Sequence, residues 1–153
     1  MKAKEIMTRD PVTCLPQTPI EELCETLRRE NINGAPVVDE SGRLVGIVSQ
    51  DDVIFRKGRP NEETQPPRDI RDLFQRGFAS IADSDAGPRR VDDIMTREVI
   101  SADEETPVEQ LCRIMWERRI HRIPITRNGK LSGIVSALDL CKIIAAGKVR
   151  ISD

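Results

Sequence analysis

GIVSQDD, residues 46–52, returns as GIVSALD at residues 133–139. The Gly, Ile, Val, Ser and final Asp keep their spacing. A short β-branched run that ends in Ser, with an acid three residues on, reads as a strand entering a capped helix. One such stretch is common. Two in one chain of 153 residues ask whether the architecture, the function or both were duplicated.

Working outward, a shift of 88 residues lays IMTR (6–9) on IMTR (94–97), TPIEELC (18–24) on TPVEQLC (106–112) and INGAPV (32–37) on IHRIPI (120–125). Residues 6–38 hold 11 identities in 33 positions. After a one-residue deletion in a turn, residues 42–54 hold 7 in 13. This is an internal repeat. The spacing predicts a first repeat over 1–56, a connection over 57–90 and a second repeat over 91–153.

Each repeat reads alike. Thr18-Pro19-Ile20-Glu21 and Thr106-Pro107-Val108-Glu109 predict helix starts, with a Thr cap, Pro at the first helical position and Glu closing a capping box. Ile20, Leu23, Cys24 and Leu27 mark one apolar helical face, as do Val108, Leu111, Cys112 and Met115. Residues 35–38 and 44–48 predict short strands around the turn Asp39-Glu40-Ser41-Gly42, and a second helix starts near Gln50 with Val53, Ile54 and Phe55. An extended IMT segment precedes each set. In the connection, PNEETQPP (60–67) is a Pro-rich break, and Ile70, Leu73, Phe74, Phe78 and Ile81 predict a helix near 68–82. About 50 residues bury too little apolar surface to stand alone, so the two repeats are expected to pack on each other.

Composition narrows the function classes. A third of the residues are charged, the net charge is −2 and the pI is 5.6. No apolar run approaches the roughly 20 residues a bilayer core needs. No apolar leader opens the chain, and a cytoplasmic location is expected. Cysteines 14, 24, 112 and 141 lack metal-ligand spacing and His121 is the one histidine, so no metal site is expected. Cys24 and Cys112 are expected to be buried core thiols. The aromatics are Phe55, Phe74, Phe78 and Trp116, which read as core or interface, so no nucleic-acid binding is expected.

The ordered set IMT, TP[IV], PV or PI, and L-x-G-I-V-S-x-x-D, occurring twice, resembles the cystathionine-β-synthase (CBS) domain. The tandem resembles a CBS pair, or Bateman module, over about three-quarters of the chain. The resemblance implies an α+β fold of α/β sandwich-like repeats, related by a pseudo-two-fold axis and packed through their small sheets. It also implies a regulatory module that binds an adenine nucleotide and commonly dimerises.

The repeated Ser and Asp admit two readings. In one, Ser49 with Asp52 and Ser136 with Asp139 are capping boxes, the acid complementing the helix dipole. In the other, the helix N-terminus is an anion site and the carboxylate accepts hydrogen bonds from ribose hydroxyls. The two are compatible. By the resemblance, one cleft combines Ser49 and Asp52 with Thr96, Ser101, His121, Arg122 and Ile123, where His121-Arg122 matches the family's phosphate-contacting pair. The other combines Ser136 and Asp139 with Thr8, Thr13 and the backbone of Asn33, Gly34 and Ala35. Ile47 and Ile134 would pack against the base.

The clefts are unequal. Residues 116–130 carry Arg118, Arg119, Arg122, Arg127 and Lys130 against Glu117, a balance of +4. Arg118 and Arg119 read as a solvated face and Arg122 as a phosphate contact. Asn33-Gly34 lacks the cationic pair, which suits either adenosine with few phosphates, S-adenosylmethionine for instance, or a cleft that depends on basic residues of a second subunit.

The expectation is therefore a sensor of AMP, ADP or ATP, with S-adenosylmethionine or NAD also possible, acting as a homodimer on a protein partner. The competing reading is a dimerisation module whose clefts are vestigial. An enzyme is disfavoured, because one His and no nucleophile–base constellation leave little chemistry to assign.

Overall fold

The computed structural model describes residues 1–56, 71 and 90–148. The described elements are α1 (Ala3–Ile6), β1 (Thr8–Arg9), α2 (Ile20–Arg29), β2 (Gly34–Val38), β3 (Leu44–Ser49), α3 (Gln50–Arg56), α4 (Val91–Ile94), β4 (Ala102–Asp103), α5 (Val108–Arg118), β5 (Arg122–Arg127), β6 (Lys130–Ser136) and α6 (Ala137–Ala145). The predicted strands and helices of both repeats are present. Apart from Arg71, the helix predicted over 68–82 lies outside the described residues.

The chain forms two compact units whose membership crosses the repeats. Unit 1 takes Met1–Pro11, Ser41–Leu44 and Ile100–Asp153, and unit 2 takes Val12–Glu40 and Val45–Val99. The IMTR segment of each repeat therefore lies in the unit built mainly from the other repeat. The cores agree. Ala3 and Met7 are buried with Val108, Leu111, Ile123, Ile125 and Val135. Val91, Ile94 and Met95 are buried with Ile20, Leu23, Val37 and Val48.

In unit 1 a four-stranded sheet has the order β1-β6-β5-β4. β5 and β6 are antiparallel, β1 pairs antiparallel with β6 through Thr8–Ile134 and Arg9–Gly133, and β4 runs parallel to β5. The turn between β5 and β6 is Asn128-Gly129, both at positive φ (53° and 78°), which matches the twist of a tight hairpin. Unit 2 repeats this plan with shorter flanks. β2 pairs with β3, and the outer pairings shrink to single bridges, Cys14–Val37 and Ile47–Thr96.

Three local expectations are corrected. Thr18 and Thr106 do not cap their helices, because Pro19 and Pro107, in extended conformation, hold the N-cap positions. Each Thr instead closes the preceding turn. Thr18 Oγ1 accepts from Leu15 N–H at 3.0 Å, and Thr106 Oγ1 accepts from Asp103 N–H at 3.1 Å. The IMT segments are not extended throughout, since Ile6 and Ile94 end the short helices α1 and α4. An acid makes those helices possible. Glu5 accepts from Lys2 N–H at 2.6 Å and Asp93 from Arg90 N–H at 2.9 Å.

Third, Cys24 is buried but Cys112 is exposed. On α5 the buried stripe is Val108, Leu111 and Met115, flanked by the half-buried Ile114. The residue in α2 that matches Ile114 is Thr26. A large apolar side chain at 114 widens the buried face on that side and turns Cys112 outward.

Candidate functional site

Both repeated stretches do what their spacing suggests. β3 and β6 each alternate buried and half-buried residues, so Val48 and Val135 enter the cores while Ile47, Ser49, Ile134 and Ser136 lie on the opposite face. A helix starts directly after each Ser. Ser49 donates its N–H to Asp52 Oδ2 at 2.9 Å and its hydroxyl to the same oxygen at 3.3 Å. Ser136 makes the same bonds to Asp139 Oδ2 at 2.7 and 2.8 Å, and Asp139 N–H donates back to Ser136 Oγ at 3.3 Å. The second box is thus a complete reciprocal cap. Among the described residues no donor reaches Oδ1 of Asp52 or Asp139. Both aspartates are half-buried. Each carboxylate holds its charge at a helix start with one oxygen available to a further donor.

The segment before each strand pair also reaches its own box. Gln50 N–H donates to Asn33 O at 2.9 Å and Ala137 N–H to His121 O at 2.8 Å. Arg122 pairs with Ser136 across β5 and β6, and Thr8 pairs with Ile134 across β1 and β6. Cross-strand partners share a face, so unit 1 brings Thr8, Arg122, Ile134 and Ser136 to one side of its sheet. In unit 2, Thr96 bridges Ile47 and Asn33 sits beside the start of α3.

Thr8, Thr13, Asn33, Thr96, Ser101 and His121 are exposed. Gly34, Ala35 and Ile123 are buried, so at these three the backbone is what a ligand would meet. The expected grouping takes Ser49 and Asp52 with His121 and Arg122, and Ser136 and Asp139 with Thr13 and Asn33. It draws on residues of both units and belongs to the proposal below.

Arg118 and Arg119 are exposed. The Arg119 guanidinium stands 4.8 Å from the centre of the Trp116 ring. Trp116 is 71% exposed, so the core half of its expected role is corrected. Its place on α5 matches Arg28 of α2, a surface position. Two structural roles were not read from sequence. Arg9 Nη2 donates to Lys4 O at 3.3 Å and Arg97 Nη2 to Asp92 O at 3.1 Å, so the Arg of IMTR ties down the short helix before it. The repetition of IMTR was the available signal.

The described residues contain no cluster of metal-ligating side chains and no helix long and apolar enough to cross a membrane. The profile of the CBS domain matches residues 3–57 and 91–146. The uncharacterized protein YlbB of Bacillus subtilis is 32% identical over 140 residues, covering 91% of this chain and 79% of YlbB. Among solved structures, the CBS domain pair of protein MJ0100, in complex with 5′-methylthioadenosine and S-adenosyl-L-methionine, has a TM-score of 0.70 at 26% identity. That match covers 96% of this chain and 98% of the other. CBSX2, solved in complex with AMP, has a TM-score of 0.74 at 22% identity and covers 97% and 98%, a likeness of fold.

Proposed function

The chain belongs to the CBS domain family as a tandem pair, and from that premise we propose that it is a regulatory sensor of an adenosyl ligand. The observation that carries the proposal is the pair of half-buried Asp carboxylates at helix starts, each held by its own Ser through Oδ2 with Oδ1 facing no donor among the described residues. A ribose diol supplies hydroxyl donors for such an oxygen. The likeness to the MJ0100 pair, whose complex holds two adenosyl compounds, supports the same ligand class.

In this reading one cleft uses Ser49 and Asp52 with Thr96, Ser101, His121, Arg122 and Ile123, and favours AMP, ADP or ATP through Arg122 with His121 beside it. The other uses Ser136 and Asp139 with Thr8, Thr13, Asn33, Gly34 and Ala35, and suits a ligand with little phosphate charge such as S-adenosylmethionine. NAD joins the panel as a dinucleotide. A ligand that binds one conformation better than another shifts the population toward it, and the output passes to a protein partner or to a homodimer. We assign no catalytic role to His121.

One observation favours a second reading, an assembly module without a ligand. The Ser136–Asp139 box is reciprocally satisfied, so its residues have a structural use by themselves. A thermal-unfolding panel against AMP, ADP, ATP, S-adenosylmethionine and NAD separates the two. A ligand at a hundred times its Kd adds about 2.7 kcal/mol. At roughly 2–4 °C per kcal/mol for this chain length, the sensor reading predicts a clear rise with at least one ligand. A flat panel supports the assembly reading.

A further inference from the structure

The two arms, Met1–Pro11 in unit 1 and residues 90–97 in unit 2, dock by the same bonds. Ala3 N–H donates to Thr106 O at 2.8 Å, and its counterpart Val91 N–H to Thr18 O at 2.9 Å. Lys4 N–H donates to Glu104 O at 3.0 Å, and Asp92 N–H to Pro16 O at 2.9 Å. Thr8 pairs with Ile134 as Thr96 pairs with Ile47. Met7 lies against Gly133 as Met95 lies against Gly46. Both arms carry IMTR, and both grooves are lined by a Gly-Ile-Val-Ser strand. Backbone bonds and the Met–Gly contact therefore accept either arm in either groove.

Charge distinguishes them. In unit 1, Lys2 Nζ lies 2.6 Å from Glu105 Oε2, and Lys4 Nζ pairs with Glu105 Oε1. In unit 2 the residue matching Glu105 is the neutral Gln17, and the residues matching Lys2 and Lys4 are Arg90 and Asp92, which pair with each other at 2.6 Å. An arm carrying Asp92 in the groove of unit 1 would set a carboxylate where Lys4 stands, beside Glu105, and its Arg90, at the Lys2 position, is already paired with that carboxylate.

We propose that Glu105 is the address residue of the unit 1 groove, admitting the arm that carries Lys2 and Lys4 and repelling the arm that carries Asp92. It combines attraction to the correct partner with repulsion of the wrong one, which is how near-identical interfaces are kept apart. The same rule governs an arm offered by a second copy of the chain, so the groove fits an N-terminal arm with one cation at the helix N-cap, another two residues on, and no acid at the Lys4 position.

Amide hydrogen exchange on the full chain tests this. Glu105→Lys should speed exchange of the Ala3 and Lys4 amides by roughly three- to tenfold, given how modest exposed pairs are, while Val91 and Asp92 keep their rates. Glu105→Gln should give a smaller rise. Combining Glu105→Lys with Lys2→Glu and Lys4→Glu should return Ala3 and the residue-4 amide to near their original rates. Unchanged rates in Glu105→Lys, or a rise that the charge swap leaves in place, would overturn the assignment.

Discussion

Met7 lies directly over Gly133, and a methyl group built at position 133 would sit 2.6 Å from its sulfur and 2.9 Å from the Thr8 carbonyl oxygen. The same relation holds at Gly46, 2.6 Å from the Met95 sulfur but 3.2 Å from the Thr96 carbonyl. The Gly of each GIVS stretch is therefore explained by the arm that crosses it. Sulfur at the end of a flexible chain moves aside at modest cost, whereas a backbone oxygen does not. Gly133→Ala should destabilise by about 1–3 kcal/mol and Gly46→Ala by less, measured by urea denaturation.

The Ser136 cap should matter on its own. Ser136→Ala removes an acceptor for Asp139 N–H and a donor to Asp139 Oδ2. The expected loss is about 1 kcal/mol, and a urea midpoint unchanged by the substitution would remove the cap from the account.

Glu105 gives a pH signature. Its pairing with Lys2 and Lys4 lowers its carboxyl to about 2 from the usual 4.5. A carboxylate depressed on folding contributes stability that is full above its unfolded value and is lost as pH falls through its folded value. The Tm advantage of the native chain over Glu105→Gln should thus be constant above pH 4.5 or so and fade as the pH approaches 2. Both partners are exposed, so the advantage should be small and should shrink in high salt.

Thiol labelling should sort the cysteines. Cys24 is buried, and burial pushes the Cys14 thiol up to about 12, so neither offers an accessible thiolate at pH 8. Cys112 and Cys141 are exposed, and partial burial with the nearby Glu109 raises the Cys112 thiol. Native protein should label first at Cys141, then at Cys112. Cys14 and Cys24 should react on unfolding, with mass spectrometry as the readout.

Much of the fold was legible because duplication doubled every weak signal. Ile20, Leu23 and Leu27 matched Val108, Leu111 and Met115, and both stripes are buried. The Ser136–Asp139 box closed as its spacing implied, and at Ser49 the bonds to Asp52 formed. Three features escaped for separate reasons. Thr18 and Thr106 look like caps in sequence, but the extended Pro that follows takes the cap position, a backbone fact that residue type leaves open. Cys112 follows the pattern of Cys24 and is exposed because Ile114, a residue outside the counted stripe, turns the helix face. The exchange of arms could not be read from periodicity, which reports which residues are buried and not in which core; only the family resemblance set Thr8 with Ser136 and Thr96 with Ser49. For the site, residue type identified Asp52 and Asp139, while the backbone at Gly34, Ala35 and Ile123 follows from their burial.

The most direct measurement is titration calorimetry of the five adenosyl ligands into the native chain, Asp52→Asn and Asp139→Asn. Asparagine keeps an acceptor for the Ser amide, so the cap survives while the charge that would hold the ribose is removed. The account predicts that at least one ligand binds the native chain and loses tenfold or more in affinity, about 1.4 kcal/mol, in one Asn variant that still folds. Binding of equal strength in all three proteins, or no binding of any ligand to the native chain, would contradict it.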